Sequence, residues 1–189
     1  MQIILMRHGK PTVDLDTIKR KRVSPQAVGQ IVTEYAATPL PQDETATEAA
    51  LKIATECNVA ISSDLARATD SIERLGLSSK AIVDPMFTES AMPFCNWHGP
   101  RLKFLTWCVI FRILWLCGVS ANGEHIRVAK QRTHRCCQTL QELAEKNETV
   151  LVVGHGIMNR LIARELKRRG WVKDTPNSVT YWSFSVFRK

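Results

Sequence analysis

The sequence pattern most informative about the fold lies near the start of the chain, at Gln2-Ile3-Ile4-Leu5-Met6-Arg7-His8-Gly9. It is apolar from Ile3 to Met6 and β-branched at its first two apolar positions, which favours a strand buried on both faces. The strand ends in a cation, a histidine and a glycine. Lys10-Pro11 then predicts a loop, because proline disfavours helix at the residue before it.

Two later stretches repeat this arrangement. Residues 58–62 predict a buried strand that is followed by Ser63-Asp64, and residues 149–153 predict another that is closed by Gly154-His155-Gly156. Shorter strands are expected at residues 81–83 and, by alternation of polar and apolar side chains, at residues 179–187. Helices are expected between the strands, at residues 24–37 with Ser24 as the N-cap, 45–57, 63–75 with Ser63-Asp64 as the cap, and 157–170 with Gly170 at the end.

Strands that alternate with helices predict an α/β sandwich with a largely parallel central sheet. No internal repeat, low-complexity tract or linker interrupts residues 1–189, so one domain is expected. The polar clusters at Arg7-His8-Gly9, at Ser62-Ser63-Asp64 and at Gly154-His155-Gly156 all follow strand ends. Because open α/β sheets bind ligands at the carboxyl ends of their strands, these clusters are expected to converge on one site.

The composition narrows the class of protein and of partner. With 189 residues, 44% hydrophobic and 23% charged, the chain is neither disordered, collagen-like nor a mini-protein. The net charge of +8 fits an anionic partner. The start lacks a signal-peptide pattern and none of the six cysteines forms a Cys-x-x-Cys pair, so reduced thiols and a cytoplasmic location are expected. No metal site is expected, since Cys95 and His98 lack companions.

The first triplet carries the chemistry. A neutral imidazole is a nucleophile toward phosphorus, the guanidinium of Arg7 matches phosphate oxygens, and Gly9 permits close approach of backbone to an anion. The alternative is a buried core histidine beside a surface arginine. Arg67, one turn into a helix, and His155, between two glycines, add a cation and a second imidazole. Glu89 adds a carboxyl that could donate a proton.

These motifs resemble those of the histidine phosphatase superfamily, also called phosphoglycerate-mutase-like. The resemblance covers residues 3–160 and rests on Arg7-His8-Gly9, the stretch Ser62-Ser63-Asp64-Leu65-Ala66-Arg67-Ala68, Glu89 and Val153-Gly154-His155-Gly156. It implies a three-layer α/β/α sandwich with a mostly parallel central sheet.

The resemblance also implies a mechanism. His8 would be the nucleophile that becomes phosphorylated, with Arg7, Arg67 and His155 holding the phosphoryl group together with Gly9 and Gly156. Glu89 would be the general acid and then the base for water; Glu73 and Asp84 lie near it in sequence as alternatives. No cofactor or metal is implied, because cationic side chains take that role.

The expected function is therefore a metal-independent phosphomonoesterase that works through a phosphohistidine on His8. A phosphoglycerate-type phosphomutase is the second interpretation and a non-catalytic phosphate-binding or interaction module the third. The loop Lys10-Pro11-Thr12-Val13 lacks residues common in mutases, and the usual helix-start pattern near Ser24 and the run that usually follows Glu89 are also absent. These departures leave the substrate open.

The middle of the chain is unusual. Residues 104–119 are strongly apolar and lie where the family resemblance implies a variable insertion, expected here to be helical at about residues 95–122. A membrane-spanning helix needs about 20 consecutive apolar residues, and Arg112 interrupts the apolar segment here. Both points argue against a helix that crosses a membrane. Trp107, Phe111 and Trp115 are expected to share one helix face, as core, substrate wall or interface. The expected partner is a phosphorylated small molecule and no nucleic acid. A membrane surface or a second copy of the chain would fit the apolar residues 104–119 and the basic residues 160–189, which carry eight Lys and Arg against Glu165 and Asp174.

Overall fold

The computed structural model describes residues 1–13, 15–120, 122–175 and 180–189. The strands are β1 (Gln2–Arg7), β2 (Arg22–Val23), β3 (Val59–Ser62), β4 (Ala81–Val83), β5 (Leu102–Lys103), β6 (Thr149–Gly154), β7 (Val172–Lys173) and β8 (Phe184–Arg188). The helices are α1 (Leu15–Ile18), α2 (Pro25–Ala37), α3 (Glu48–Thr55), α4 (Ala66–Arg74), α5 (Phe104–Leu116), α6 (Ile126–Asn147) and α7 (Gly156–Arg168).

The central sheet has the strand order β4-β3-β6-β1-β8-β7. Strands β4, β3, β6 and β1 run parallel, whereas β8 pairs antiparallel with β1 and β7 antiparallel with β8. The predicted α/β class and mostly parallel sheet are confirmed. The register places Met6 beside Val153 and Val153 beside Ser62, so the central strands end at the same level.

The two faces of the sheet carry separate cores. In β1, Ile3 and Leu5 pack with helices α6 and α7, and Ile4 and Met6 pack with α3 and α4. All four side chains are buried, as expected for a strand covered by helices on both sides. This alternation gives the three layers of an α/β/α sandwich.

Several predicted boundaries shift for identifiable reasons. Helix α2 begins as expected, with the Ala27 amide donating to Ser24 Oγ over 3.3 Å. Helix α3 begins later than residue 45, because Thr47 Oγ1 accepts from the Ala50 amide at 3.2 Å and is the N-cap. The prediction that Ser63-Asp64 caps the next helix is wrong: α4 starts at Ala66.

The last two predicted elements also differ in extent. Helix α7 runs Gly156–Arg168, and Gly170 follows it with a left-handed φ of 85°, which a glycine adopts without strain. The final strand begins at Phe184 instead of residue 179, since Trp182 has a φ of 60° that breaks the extended backbone. Val179 itself lies outside the described residues.

The aromatic side chains of α5 do share one face, and that face is core. Trp107 and Phe111 are buried with Val23 and Val28, and their rings stack at a centroid distance of 5.3 Å. The indole N–H of Trp107 donates to the carbonyl oxygen of Val23 at 3.1 Å. Trp115 is also buried. The aromatic stripe therefore holds α5 to α2 and to the short β2–β5 ribbon.

The outer face of α5 is apolar and exposed at Leu105, Val109, Ile113 and Leu116. In the part of the chain that the structure describes, no helix has the length and apolar character to cross a bilayer. Both expected partners of this segment, a membrane surface and a second copy of the chain, stay predictions.

Candidate active site

Three strand ends build the site. Strand β1 delivers Arg7 and His8, β3 delivers Ser63, and β6 delivers His155. Because these strands are parallel neighbours with a shared register, the side chains that follow them meet at one edge of the sheet. A cavity of about 840 Å³ opens there.

His8 is held as one tautomer. It is 2% exposed. Its Nδ1 lies 2.6 Å from the carbonyl oxygen of Gly9, and a carbonyl only accepts, so Nδ1 carries the proton. Its Nε2 accepts from the Nε–H of Arg67 at 3.2 Å. The lone pair of the imidazole is therefore on Nε2, the atom beside the cation.

Electrostatics keep this imidazole neutral. Burial, and next the charge of Arg67, lower the pKa of His8 to about 3. A histidine with a depressed pKa has its lone pair available throughout the physiological range. His8 thus has the protonation state that a nitrogen nucleophile requires.

Arg67 lies in the first turn of α4 and is also 2% exposed. Its Nη1 donates to the carbonyl oxygens of Tyr35 at 3.2 Å and Ala36 at 2.8 Å, so the end of α2 fixes the guanidinium. Its guanidinium carbon lies 4.8 Å from the centre of the Tyr35 ring. These contacts aim a buried cation at the imidazole of His8.

Arg7 reaches the same cavity from the end of β1. Its guanidinium carbon lies 4.0 Å from the centre of the Tyr181 ring, a cation–π contact. The Tyr181 ring also lies 5.7 Å from the ring of His8. One aromatic side chain thus packs against both members of the Arg7-His8 pair.

His155 is fully buried behind His8, with 5.1 Å between the ring centroids. Its Nε2 is hydrogen bonded to Ser63 Oγ at 2.6 Å, and the Leu65 amide donates to the same oxygen at 3.3 Å. This bond explains why Ser63 does not cap α4. Burial, with His8 as the next cause, lowers the pKa of His155 well below its usual value. The second imidazole is therefore neutral too.

Glu89 lies against the start of α7. Its Oε1 accepts from the amides of Met158 at 2.9 Å and Ser90 at 3.0 Å, and its Oε2 from the amide of Ile157 at 3.1 Å. The carboxylate therefore caps α7, whose N-cap residue His155 makes no side-chain cap. Of the three carboxyls considered from the sequence, Glu89 alone lines the cavity in the described part of the chain.

The two glycines differ in placement. Gly156 is the first residue of α7 and lines the cavity. The amide of Gly9 instead donates to Ser71 Oγ at 2.9 Å, and an added Cβ would lie 2.5 Å from the Trp182 ring. Gly9 is thus required by the close packing of Trp182, and its amide points to α4 instead of an anion.

The structure thus brings Arg7, His8, Arg67 and Glu89 to one cavity surface and leaves His155 just beneath it. Sequence reasoning missed the roles of Ser63 and Tyr181. Ser63 stood inside a quoted motif but was interpreted as a helix cap. Nothing in the sequence around Tyr181 signals a contact with residues 7 and 8.

Arg132 is a further residue that the sequence did not single out. Its guanidinium pairs with both carboxylate oxygens of Glu124, at 2.7 and 2.6 Å. The same group donates to the carbonyl oxygens of Met86 at 2.8 Å and Thr88 at 2.7 Å. Arg132 therefore anchors the loop that presents Glu89. Among the described residues, no group of three or more His, Cys, Asp or Glu side chains is placed to hold a metal ion.

Comparison with known proteins identifies the family. The model of the histidine phosphatase superfamily (branch 1) matches residues 3–187, so the chain belongs to that superfamily. A search of curated proteins finds no significant match.

Solved structures share the fold at low sequence identity. The structure of open reading frame Rv3214 from Mycobacterium tuberculosis matches with a TM-score of 0.65 and 18% identity, over 98% of this chain and 89% of that one. A putative α-ribazole-5′-P phosphatase from Escherichia coli K-12 matches with a TM-score of 0.59 and 22% identity, over 88% of this chain and 79% of that one. Mycobacterial glucosyl-3-phosphoglycerate phosphatase Rv2419c matches with a TM-score of 0.59 and 18% identity, over 98% of this chain and 88% of that one.

Proposed function

We propose that this chain is a metal-independent phosphomonoesterase that transfers a phosphoryl group to Nε2 of His8 and then to water. The observation that carries the proposal is the tautomer of His8: its Nδ1–H is held by the Gly9 carbonyl oxygen, and its Nε2 lone pair stands beside Arg67. Two of the structures with the same fold are named as phosphatases, which agrees with the proposal.

The first step forms a phosphorus–nitrogen bond. Nε2 of His8 attacks phosphorus while the bond to the ester oxygen breaks, and the leaving oxygen takes a proton from the carboxyl of Glu89. The Nε–H of Arg67, which donates to Nε2 in the structure, donates instead to a phosphoryl oxygen once substrate is bound. Arg7 adds a second guanidinium for the remaining charge.

The second step reverses these roles. Water attacks phosphorus, its proton goes to the Glu89 carboxylate, and the phosphorus–nitrogen bond breaks to restore the Nε2 lone pair. Oε2 is the oxygen we assign to this proton, because it accepts one backbone amide whereas Oε1 accepts two. Inorganic phosphate and the alcohol are the products, and Glu89 ends protonated, ready for the next turnover.

Turnover of p-nitrophenyl phosphate with a chelator present tests the proposal. Wild-type protein should release phosphate at an undiminished rate in the chelator, and His8→Asn should lose activity by several orders of magnitude while it folds normally. Loss of wild-type activity in the chelator, or retained activity in His8→Asn, would contradict the mechanism. A phosphomonoester that carries a second hydroxyl group separates a phosphatase from a mutase, because a phosphatase releases phosphate from it without forming the isomerised ester.

A further inference from the structure

The outer face of α5 is a row of aliphatic side chains that the core does not use. Leu105, Val109, Ile113 and Leu116 follow one another at spacings of four, four and three residues, so they lie on one side of the helix. Each of them is 51–60% exposed. Single exposed apolar side chains are common on protein surfaces, but a contiguous row of them indicates an interaction surface.

The aromatic side chains of α5 do not belong to this surface. Phe104, Trp107, Phe111 and Trp115 are all buried. The outer face therefore presents branched aliphatic groups on a convex helix. Protein–protein interfaces concentrate their binding energy in Trp, Tyr and Arg side chains that fill pockets of the partner. A convex aliphatic row matches the hydrocarbon of a lipid surface better, because acyl chains adapt to the shape of whatever enters them.

A group of exposed cations adjoins the amino-terminal end of this face. We call it the basic ribbon, because it lies on β2 and β5 and on the residues next to them. Its exposed cations are Arg20, Lys21, Arg22, Arg101 and Lys103. The amide of Phe104 donates to the carbonyl oxygen of Lys21 at 2.9 Å, and the amide of Leu105 donates to that of Lys19 at 3.1 Å. The first residue of the outer face is thus hydrogen bonded to the basic segment, and the two surfaces are continuous.

The cations of the basic ribbon do not stabilise the elements that carry them. Arg22 pairs directly with Lys103 across the ribbon, and like charges in that arrangement repel each other. Lys103 is also the N-cap residue of α5, where the helix dipole favours an anion. In the part of the chain that the structure describes, none of the five cations forms a salt bridge or a side-chain hydrogen bond. An anion outside the chain would explain their placement.

The neighbouring sequence does not neutralise the basic ribbon. Residues 17–33 and 90–123 hold seven Lys and Arg and no Asp or Glu. Asp14 and Asp16 precede the first segment, and their side chains lie outside the described part; seven cations with these two carboxylates still leave +5. A second copy of the chain would bring the same cations and a net charge of +8, so it does not complement this surface. Anionic lipid headgroups do complement it.

We propose that the outer face of α5 and the basic ribbon together bind the surface of an anionic lipid bilayer. Helix α5 lies in the plane of the membrane, its aliphatic side chains enter the boundary between headgroups and acyl chains, and the cations contact lipid phosphates. Leu105 also lines the cavity, so the bound protein holds the mouth of the cavity beside the lipid. The proposal concerns attachment to the membrane and does not depend on the proposed phosphatase function.

Co-sedimentation with vesicles of phosphatidylcholine, with and without phosphatidylglycerol, tests the charge. The wild-type chain should prefer the anionic vesicles, and its affinity should fall as the salt concentration rises. Arg22→Gln/Lys103→Gln should weaken binding by about twenty- to thirtyfold, at about fivefold for each cation. The free energy of unfolding should stay the same or rise, because a like-charge pair is removed. Lys52→Gln/Lys146→Gln removes the same charge from exposed positions on α3 and α6 and should keep the wild-type affinity.

A second pair of variants tests the apolar contact. Ile113→Gln/Leu116→Gln changes the outer face and leaves Leu105, which lines the cavity, in place. Glutamine is a good helix former, so α5 should persist. Binding to anionic vesicles should fall by about twenty- to thirtyfold, at about fivefold for each half-exposed side chain. Leu51→Gln/Ile82→Gln removes the same two kinds of side chain from exposed positions on α3 and β4 and should keep the wild-type affinity.

Three results would overturn the proposal. The first is wild-type binding that is absent at low salt or equal for neutral and anionic vesicles. The second is unchanged binding in either the ribbon variant or the outer-face variant. The third is a dimer, seen by light scattering, that Ile113→Gln/Leu116→Gln dissociates, because a second copy of the chain would then cover the face. Leu116→Gln alone, with an expected loss of about fivefold, replaces the outer-face variant if that variant does not fold. Vesicle binding is measured without substrate, so a failure of the phosphatase assay does not affect its outcome.

Discussion

Acidification should destabilise this fold well above the pH at which most carboxylates titrate. The cause is the pair of buried, neutral imidazoles at the active site. The pKa of His8 is lowered to about 3, and that of His155 is lowered well below its usual value, in both cases chiefly by burial. An unfolded chain frees both histidines to titrate near pH 6.5.

The sign and the size of the change in the free energy of unfolding with pH follow from proton linkage. Below about pH 6.5 the unfolded state binds more protons than the folded state, so the free energy of unfolding falls as the pH falls. The slope grows as the pH falls through 6.5 and approaches a limit of about 1.4 kcal/mol per pH unit for each histidine, or about 3 kcal/mol per unit for the two together. The contribution of His8 is fully present above about pH 6.5 and is lost progressively down to about pH 3.

Urea unfolding between about pH 7.5 and 5, followed by tryptophan fluorescence, measures this slope before the carboxylates contribute much. His8→Asn and His155→Asn should each remove about half of the slope, and His98→Asn, an exposed control, should not change it. NMR titration of the wild-type imidazoles gives an independent readout. Titration of both buried rings near pH 6.5, or a free energy of unfolding that is flat across this range, would contradict this origin of the pH dependence.

Other substitutions probe the core and the site. Trp107→Ala should lower the free energy of unfolding by about 3–5 kcal/mol and affect all substrates alike, because its ring is core and does not line the cavity. Glu89→Gln should slow hydrolysis of alkyl phosphates by about a hundredfold or more and of p-nitrophenyl phosphate much less, whereas Glu73→Gln should slow neither; equal losses on both substrates would count against a general acid. Ser63→Ala should cost about 1–3 kcal/mol of stability and lower kcat, since His155 loses its partner; unchanged kcat would exclude a positioning role.

The sheet could be predicted from sequence because its central strands are continuous apolar runs. Ile3 to Met6 and Val150 to Val153 are buried on both faces, and short apolar runs that end at turn residues are typical of strands in a parallel sheet. The polar residues that follow them were placed correctly at one edge for the same reason. The carboxyl ends of parallel strands lie at the same edge of the sheet, and this does not depend on the conformation of the segments that connect them.

Helix α6 could not be predicted in this way. Its buried face includes small or weakly apolar residues, such as Ala129, Thr133, Cys136 and Ala144, so its 22 residues contain no continuous apolar run like those of the central strands. The N-cap of α4 was predicted wrongly because it depends on a contact between distant segments. Ser63 has the residue type of an N-cap, but its hydroxyl is bonded to a histidine 92 positions away, which local sequence does not show.

Only part of the role of α5 could be interpreted from sequence. The helical stripe of Trp107 and Phe111 was visible, and the structure places it in the core. That Arg112 faces the cavity depends on how α5 lies across α2 and the short ribbon, and this orientation arises from tertiary packing. The same holds for Glu89, whose capping of α7 joins segments 68 and 69 residues apart.

In the proposed mechanism the phosphoryl group passes through Nε2 of His8. Rapid quench of the protein with a phosphomonoester labelled in its phosphoryl group, followed by peptide mapping under alkaline conditions, tests it directly. We expect acid-labile, base-stable phosphate on the peptide that holds His8, formed and consumed as fast as turnover. Turnover without any phosphorylated protein, or label on another residue with activity kept in His8→Asn, would contradict it.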